Sequence, residues 1–226
     1  LAYDGLLYNT ACLAVDGRIV GFAAKQHWAG DGIHYEPRWF KPWPSGVQVE
    51  EIIDGQSIPV GDLVFDVGGV RIGFEICEDA WVADRPGTRL AARAVDVLLN
   101  PSASHFAFGR RVVRERLVSE SSRVLHAVYV YANLLGNEAG RVLYDGGSMI
   151  AALPTGAVVL DDEEIERGDA AVLREADARA AAHVRARAAD VGRRAQRLGV
   201  DHPVVADVRF IEALETLLVL GPGELA

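Results

Sequence analysis

Lysine is almost missing from this chain of 226 residues: Lys25 and Lys41 are the only two among 23 basic residues, so arginine carries nearly all the positive charge. A lysine kept against that background points to a task of its own. Its compact ammonium can be desolvated, shift its pKa and donate to an oxyanion in ways a planar guanidinium does not. Cysteine is as sparse. Cys12 and Cys77 are too few for a disulfide framework, and there is no secretory signal or long apolar run, so a reducing cytoplasm is the expected setting and no membrane partner is expected. Positive charge is short overall. A net charge of -9 argues against duplex nucleic acid as a partner and suits an enzyme of small molecules.

The apolar fraction of 50% is ample for a packed core, and the length suits one large domain or one domain with an appendage. Two apolar runs between Leu6 and Ala24 flank Asp16-Gly17, a strong hairpin signal because both turn positions want positive φ. The second of these strands runs into Lys25. Leu63 to Val67 and Val70 to Ile76 flank Gly68-Gly69 in the same way and run into Cys77. Cys12 falls inside an alternating strand and reads as core. Further strands are expected at Val95 to Asn100, Val128 to Asn133, Ser148 to Leu153 and, after a Pro154 to Gly156 turn, Ala157 to Leu160. A helix-like stretch spans Thr88 to Val95. Arg110 to Ala127 reads as an amphipathic helix with Val113, Leu117, Val124 and Leu125 on its apolar face. Helices mixed with hairpins predict an α/β layered domain with a large mixed sheet.

Composition changes after Leu160. Asp161 to Arg197 is dominated by Ala, Arg, Glu and Asp, which predicts a poorly anchored helical arm ended by Gly199, and the final apolar stretch runs from Val204 to Leu220. The expected organisation is therefore a main domain over 1–160, an arm over 161–199 and a terminal segment over 200–226.

The chemistry concentrates in Ile76-Cys77-Glu78-Asp79, where an apolar strand meets a turn, and in Asn100-Pro101-Ser102-Ala103-Ser104, where a second strand ends in small polar residues. A thiol at such a turn is open to substrate while its backbone is held. Together with Leu7-Tyr8-Asn9, with Tyr35-Glu36-Pro37-Arg38-Trp39-Phe40 downstream of Lys25, and with Tyr131-Ala132-Asn133 ahead of Asp145-Gly146-Gly147-Ser148, these motifs resemble the carbon-nitrogen hydrolase (nitrilase) superfamily. Within it they are most similar to the glutaminase domain of glutamine-dependent NAD synthetases. The resemblance covers about Gly5 to Ile150 and implies a four-layer αββα sandwich.

The resemblance also implies a Glu-Lys-Cys mechanism. Cys77 is the expected nucleophile, Lys25 with a backbone N–H after the cysteine the expected oxyanion site, and Glu36 a second carboxylate that orients the lysine and the incoming water. Tyr35, Glu78 and Ser104 match the family's substrate-contacting positions, with Arg110 as a cation for a substrate α-carboxylate. Glutamine is the favoured amide, although Trp28 to His34 departs from the usual pattern after the lysine. No cofactor is expected for the amidase reaction and no metal. His34 and His105 have no ligand spacing and read as solvated or hydrogen-bonded.

Two features depart from the family. The triad's first glutamate should lie upstream of the first hairpin, yet residues 1 to 24 hold only Asp4 and Asp16 as acids, so the chain reads as beginning inside its domain. The sheet edge thus expected to be exposed favours a homo-oligomer. The Ser-Gly-Gly-x-Asp-Ser pyrophosphate loop of an ATP-using synthetase domain is absent, so ATP belongs to an ammonia-accepting synthetase partner elsewhere. A stand-alone amidase acting on another small amide, and a non-catalytic remnant serving as an interaction module, are the alternatives.

Overall fold

The computed structural model describes residues 1–30, 32–138 and 140–151. Local backbone chemistry sets most of its elements. The short pair β1 (Ala2–Tyr3) and β2 (Leu6–Leu7) turns at Asp4-Gly5, β3 (Thr10–Val15) and β4 (Arg18–Ala24) at Asp16-Gly17, and β5 (Gln48–Ile53) and β6 (Gln56–Gly61) at Asp54-Gly55. In all three turns both central residues have φ between 47° and 76°, as does Gly68 at 59° in the turn between β7 (Phe65–Val67) and β8 (Val70–Phe74), where Gly69 reaches 84°. Such turns match the twist of the strands they join. The Asp4-Gly5 and Asp54-Gly55 hairpins carry the same dipeptide signal as Asp16-Gly17 and were not anticipated.

After β8 come α1 (Pro86–Ala92), β9 (Val97–Ser102), α2 (Arg110–Leu125), β10 (Val128–Asn133), the ribbon of β11 (Leu135–Glu138) with β12 (Val142–Asp145), and β13 (Ser148–Ala151). One sheet has the order β13-β10-β9-β8-β7, with β8, β9 and β10 parallel and the two edge strands antiparallel. The other has the order β3-β4-β6-β5, with β4 and β6 parallel. β9 begins two residues later than its sequence suggests. Asp96 is used as a brace there, its carboxylate accepting the Arg71 N–H at 2.9 Å.

Side-chain alternation explains how the layers stack. Val97, Leu99, Val128 and Val130 point toward the four-stranded sheet, joining Phe65, Val67, Val70, Ile72, Leu13 and Ala23 in one core. Leu98, Tyr129, Tyr131, Met149 and Ala151 point the other way, against Leu90, Val118 and Leu125 of the helices. Each Val, Leu, Ile, Phe or Met side chain among them contributes roughly 1.5–3 kcal/mol when fully buried. The described layers are thus helices, five-stranded sheet and four-stranded sheet. Among the described residues no helix packs on the outer face of the four-stranded sheet.

Two expectations are corrected. Cys12 is exposed, not core, because β3 turns Leu13 and Val15 inward and Cys12 and Ala14 outward. The buried face of α2 is Arg114, Val118, Ser121, Ser122 and Leu125, while Val113 and Val124 are exposed. Polar residues could be buried there because each finds a partner: Ser122 Oγ donates to the Ala127 carbonyl at 2.8 Å, and Ser121 Oγ accepts from Arg85 at 3.0 Å. The strand expected at Ala157 to Leu160, the arm at Asp161 to Arg197 with Gly199, and the segment at Val204 to Leu220 lie outside the described residues.

Candidate active site

Lys25 follows β4 directly and is almost fully buried. Its backbone is held on both sides: its N–H donates to the Asn9 carbonyl and its carbonyl accepts the Trp43 N–H, each at 2.9 Å. The ammonium is paired with Glu36, which opens a short 3-10 turn with Pro37 at its start. Glu36 also accepts the Asn9 side-chain amide at 2.7 Å and the Ala29 N–H at 2.8 Å. Burial works against its charge, but the Lys25, Ala29 and Asn9 donors outweigh it and hold the carboxyl below its ordinary pKa. Glu36 is therefore an anion that immobilises the lysine.

Cys77 ends the stretch that follows β8 and has φ of 51°, a left-handed conformation that costs a non-glycine residue about 1–2 kcal/mol. Strain of this kind collects at functional sites when the surroundings over-determine it. Here the surroundings are built just before the cysteine. Glu75, fully buried, is paired with Arg85 and accepts the Gly87 N–H at 2.6 Å and the Tyr129 hydroxyl at 3.0 Å.

A cavity of about 560 Å³ brings Lys25, Glu36 and Cys77 together, and Tyr35 lines it as well. That volume suits a small amide with water. Of the other expected contact residues, Glu78, Ser104 and Arg110 are not in its wall. Ser104 lies past the end of β9. Ser102 lines the cavity, whereas Ser104 is buried behind it, its N–H donating to Asn133 at 2.8 Å and its carbonyl accepting Arg114 and Asn133 at 2.9 Å. Arg110 lies over the Trp81 ring, 5.8 Å from its centroid. Glu78 takes part in the turn, its carbonyl accepting the Trp81 N–H at 2.9 Å.

The lining residues that were not singled out as site residues include Asn9, His34, Glu138 and Tyr144. Asn9 sits in one of the quoted motifs, but its job depends on meeting Glu36 from 27 residues away. Glu138 accepts the Tyr144 hydroxyl at 3.1 Å, and both come from the β11–β12 ribbon, whose strands had no clear sequence signal. His34 meets His105 with ring nitrogens 3.3 Å apart. Burial and the cations around them, Arg110 for both, depress both histidines' pKa values. Among the described residues no cluster of three or more His, Cys, Asp or Glu is arranged to hold a metal.

Comparison with known proteins places this geometry in context. The family model described as carbon-nitrogen hydrolase matches residues 2–175. A solved glutamine-dependent NAD(+) synthetase from Cytophaga hutchinsonii is 42% identical, with a TM-score of 0.63 over 71% of this chain and 26% of that one. A second, from Acinetobacter baumannii in complex with ADP, is 25% identical with a TM-score of 0.56, covering 71% and 29%. The glutamine-dependent NAD(+) synthetase of Saccharomyces cerevisiae is 30% identical over 180 residues, 76% of this chain and 25% of its own length. The chain thus spans about a quarter of the length of the NAD(+) synthetases it matches.

Proposed function

Since the chain belongs to the carbon-nitrogen hydrolase family and has the α/β fold of its nitrilase-type members, we propose that it is the ammonia-supplying part of a glutamine-dependent NAD synthetase, hydrolysing glutamine through Cys77. The observation that carries this reading is the convergence of Lys25, Glu36 and Cys77 on one cavity from separate parts of the chain. The glutamine-dependent synthetases among its relatives support the choice of amide.

In the proposed reaction the Cys77 sulfur attacks the side-chain amide carbon of glutamine. The S–C bond forms as the carbonyl electrons move to oxygen, where the Lys25 ammonium and the backbone N–H of Glu78 stabilise the negative charge. The C–N bond then breaks, the nitrogen takes a proton and leaves as ammonia, and a glutamyl thioester remains. Water attacks the thioester, releasing glutamate and restoring the thiol. Glu36 keeps Lys25 aimed and orients the water. The carboxylates on the described cavity wall are Glu36 and Glu138, and the thiol proton needs an acceptor of that kind. Tyr35 contacts the substrate from the wall. No cofactor enters this half of the chemistry. ATP is used where ammonia is consumed, by a synthetase domain that accepts it.

Ammonia release from glutamine by the chain, in the synthetase that contains it, tests the proposal. Cys77→Ala is expected to lose at least about 1,000-fold in kcat, and the parent should show a glutamyl adduct on the Cys77 peptide by mass spectrometry. Undiminished release from the alanine variant rules out Cys77 as nucleophile.

A further inference from the structure

Lys25 and Cys77 sit on different sheets. Lys25 leaves β4 of the four-stranded sheet and Cys77 follows β8 of the five-stranded one. Apolar contacts hold these sheets face to face. Contacts of that kind are non-directional, so they resist separation far better than sliding. An oxyanion site has narrower tolerance, since a misplacement of about 1 Å can cost on the order of a hundredfold in rate. Something directional has to join the two strand ends.

Asp79 is the group in that position. It is 1% exposed and sits on the turn that begins with Cys77. One carboxylate oxygen accepts the backbone N–H of Gln26 at 3.1 Å and of His27 at 2.8 Å, the two residues after Lys25. The other accepts the backbone N–H of Ile76, the residue before Cys77, at 3.0 Å. A single carboxylate therefore bonds the main chain on both sides of the site, across 53 and 52 residues of sequence to the lysine end. The neighbouring polar groups are engaged elsewhere: Lys25 with Glu36, the Gln26 side chain with Arg89 of α1 at 2.6 Å, and the His27 ring with the Asp84 carbonyl at 3.1 Å.

We infer that Asp79 is a positioning residue for the reaction, a clamp that sets the placement of Lys25 relative to Cys77 by holding the backbone at both strand ends. It touches neither substrate nor the reacting atoms. The inference rests on the proposed roles of Lys25 and Cys77, and its test is chosen to stand apart from glutamine hydrolysis.

The experiment measures alkylation of Cys77 by iodoacetamide, read on the Cys77 peptide so that exposed Cys12 does not contribute, in the full chain and in Asp79→Asn, Lys25→Met and the double variant. An ammonium near a thiol favours the reactive thiolate. The clamp predicts that D79N and K25M each slow alkylation at pH 7 by about tenfold and that the double variant is no slower, because the two changes remove one interaction. It also predicts that D79N lowers kcat for glutamine with KM nearly unchanged. A D79N protein that melts earlier but keeps the parent's alkylation rate, or a double variant whose losses multiply, overturns the clamp. Should D79N fail to melt cooperatively, hydrogen exchange in the intact chain decides: the Gln26, His27 and Ile76 amides must open as one set, and independent opening overturns it. If the parent releases no ammonia while the alkylation coupling holds, the glutaminase reading falls and the clamp stands.

Discussion

Two carboxylates near the same lysine, half-buried Glu36 and buried Asp79, have opposite protonation behaviour, and the difference lies in their partners. Glu36 has Lys25, a side-chain amide and a backbone N–H, and its pKa is lowered. Asp79 has three backbone N–H donors and a more distant Lys25, and burial pushes its pKa up to about 7. The consequences for stability differ in sign. A lowered carboxylate pKa gives stability that is present above the unfolded value, about 4.5 for Glu36, and is lost as pH falls through the folded value. Glu36→Gln should therefore destabilise the chain at pH 7 more than at pH 4 in urea titrations, and cut ammonia release by about tenfold or more because the lysine loses its anchor. A raised pKa works the other way: Asp79 contributes most below about 3.8, and that contribution is lost as pH rises toward 7. The stability of D79N relative to the parent should accordingly rise between pH 4 and 7, by on the order of a few kcal/mol. A flat difference across that range would show that Asp79 ionises as it does in water.

At the scale of elements, α2 shows how polar satisfaction overrides a hydrophobic count. Val113 and Val124 face solvent although they belong to the expected apolar face, and Val118 is fully buried. Val118→Ala should cost roughly 2 kcal/mol in chemical denaturation and Val113→Ala less than about 0.5 kcal/mol. Near-equal costs would contradict the observed face. The first turn of α1 is a second sensitive place, since a Cβ on Gly87 would lie 2.4 Å from a Glu75 carboxylate oxygen. Gly87→Ala displaces the Glu75–Arg85 pair that braces the stretch before Cys77, and a loss of about 1–3 kcal/mol is expected in the same measurement. Helix propensity alone predicts the reverse, a gain from replacing glycine in a helix.

At the scale of the described molecule, the five-stranded and four-stranded sheets face each other, and their contact decides whether a site exists. Gly21 of β4 has no room for a side chain: an added Cβ would meet the Phe65 ring of the facing sheet at 2.7 Å and the Pro59 carbonyl of its own sheet at 2.9 Å. Gly21→Ala should wedge the sheets apart, lowering the melting temperature and ammonia release together, although the residue is not in the cavity wall. A variant with the parent's stability and activity would show that the sheets tolerate the shift. No helix among the described residues is long and apolar enough to cross a membrane.

What sequence alone determined was local or chemical. The Asp16-Gly17 and Gly68-Gly69 hairpins follow from two residues that accept positive φ, and β10 was legible to the residue because its bulky side chains alternate between two covered faces. Lys25 and Cys77 stood out because their chemistry is rare in this chain. Tertiary structure decided the rest. It chose Ser102 over Ser104 for the cavity wall, because only one of them is consumed by Arg114 and Asn133. It turned Cys12 outward, because Leu13 and Val15 take the covered face. It brought Asn9 to Glu36 and Asp79 to the backbone after Lys25, because hydrogen bonds between residues far apart in the chain depend on how two sheets are superposed, and no local propensity encodes that.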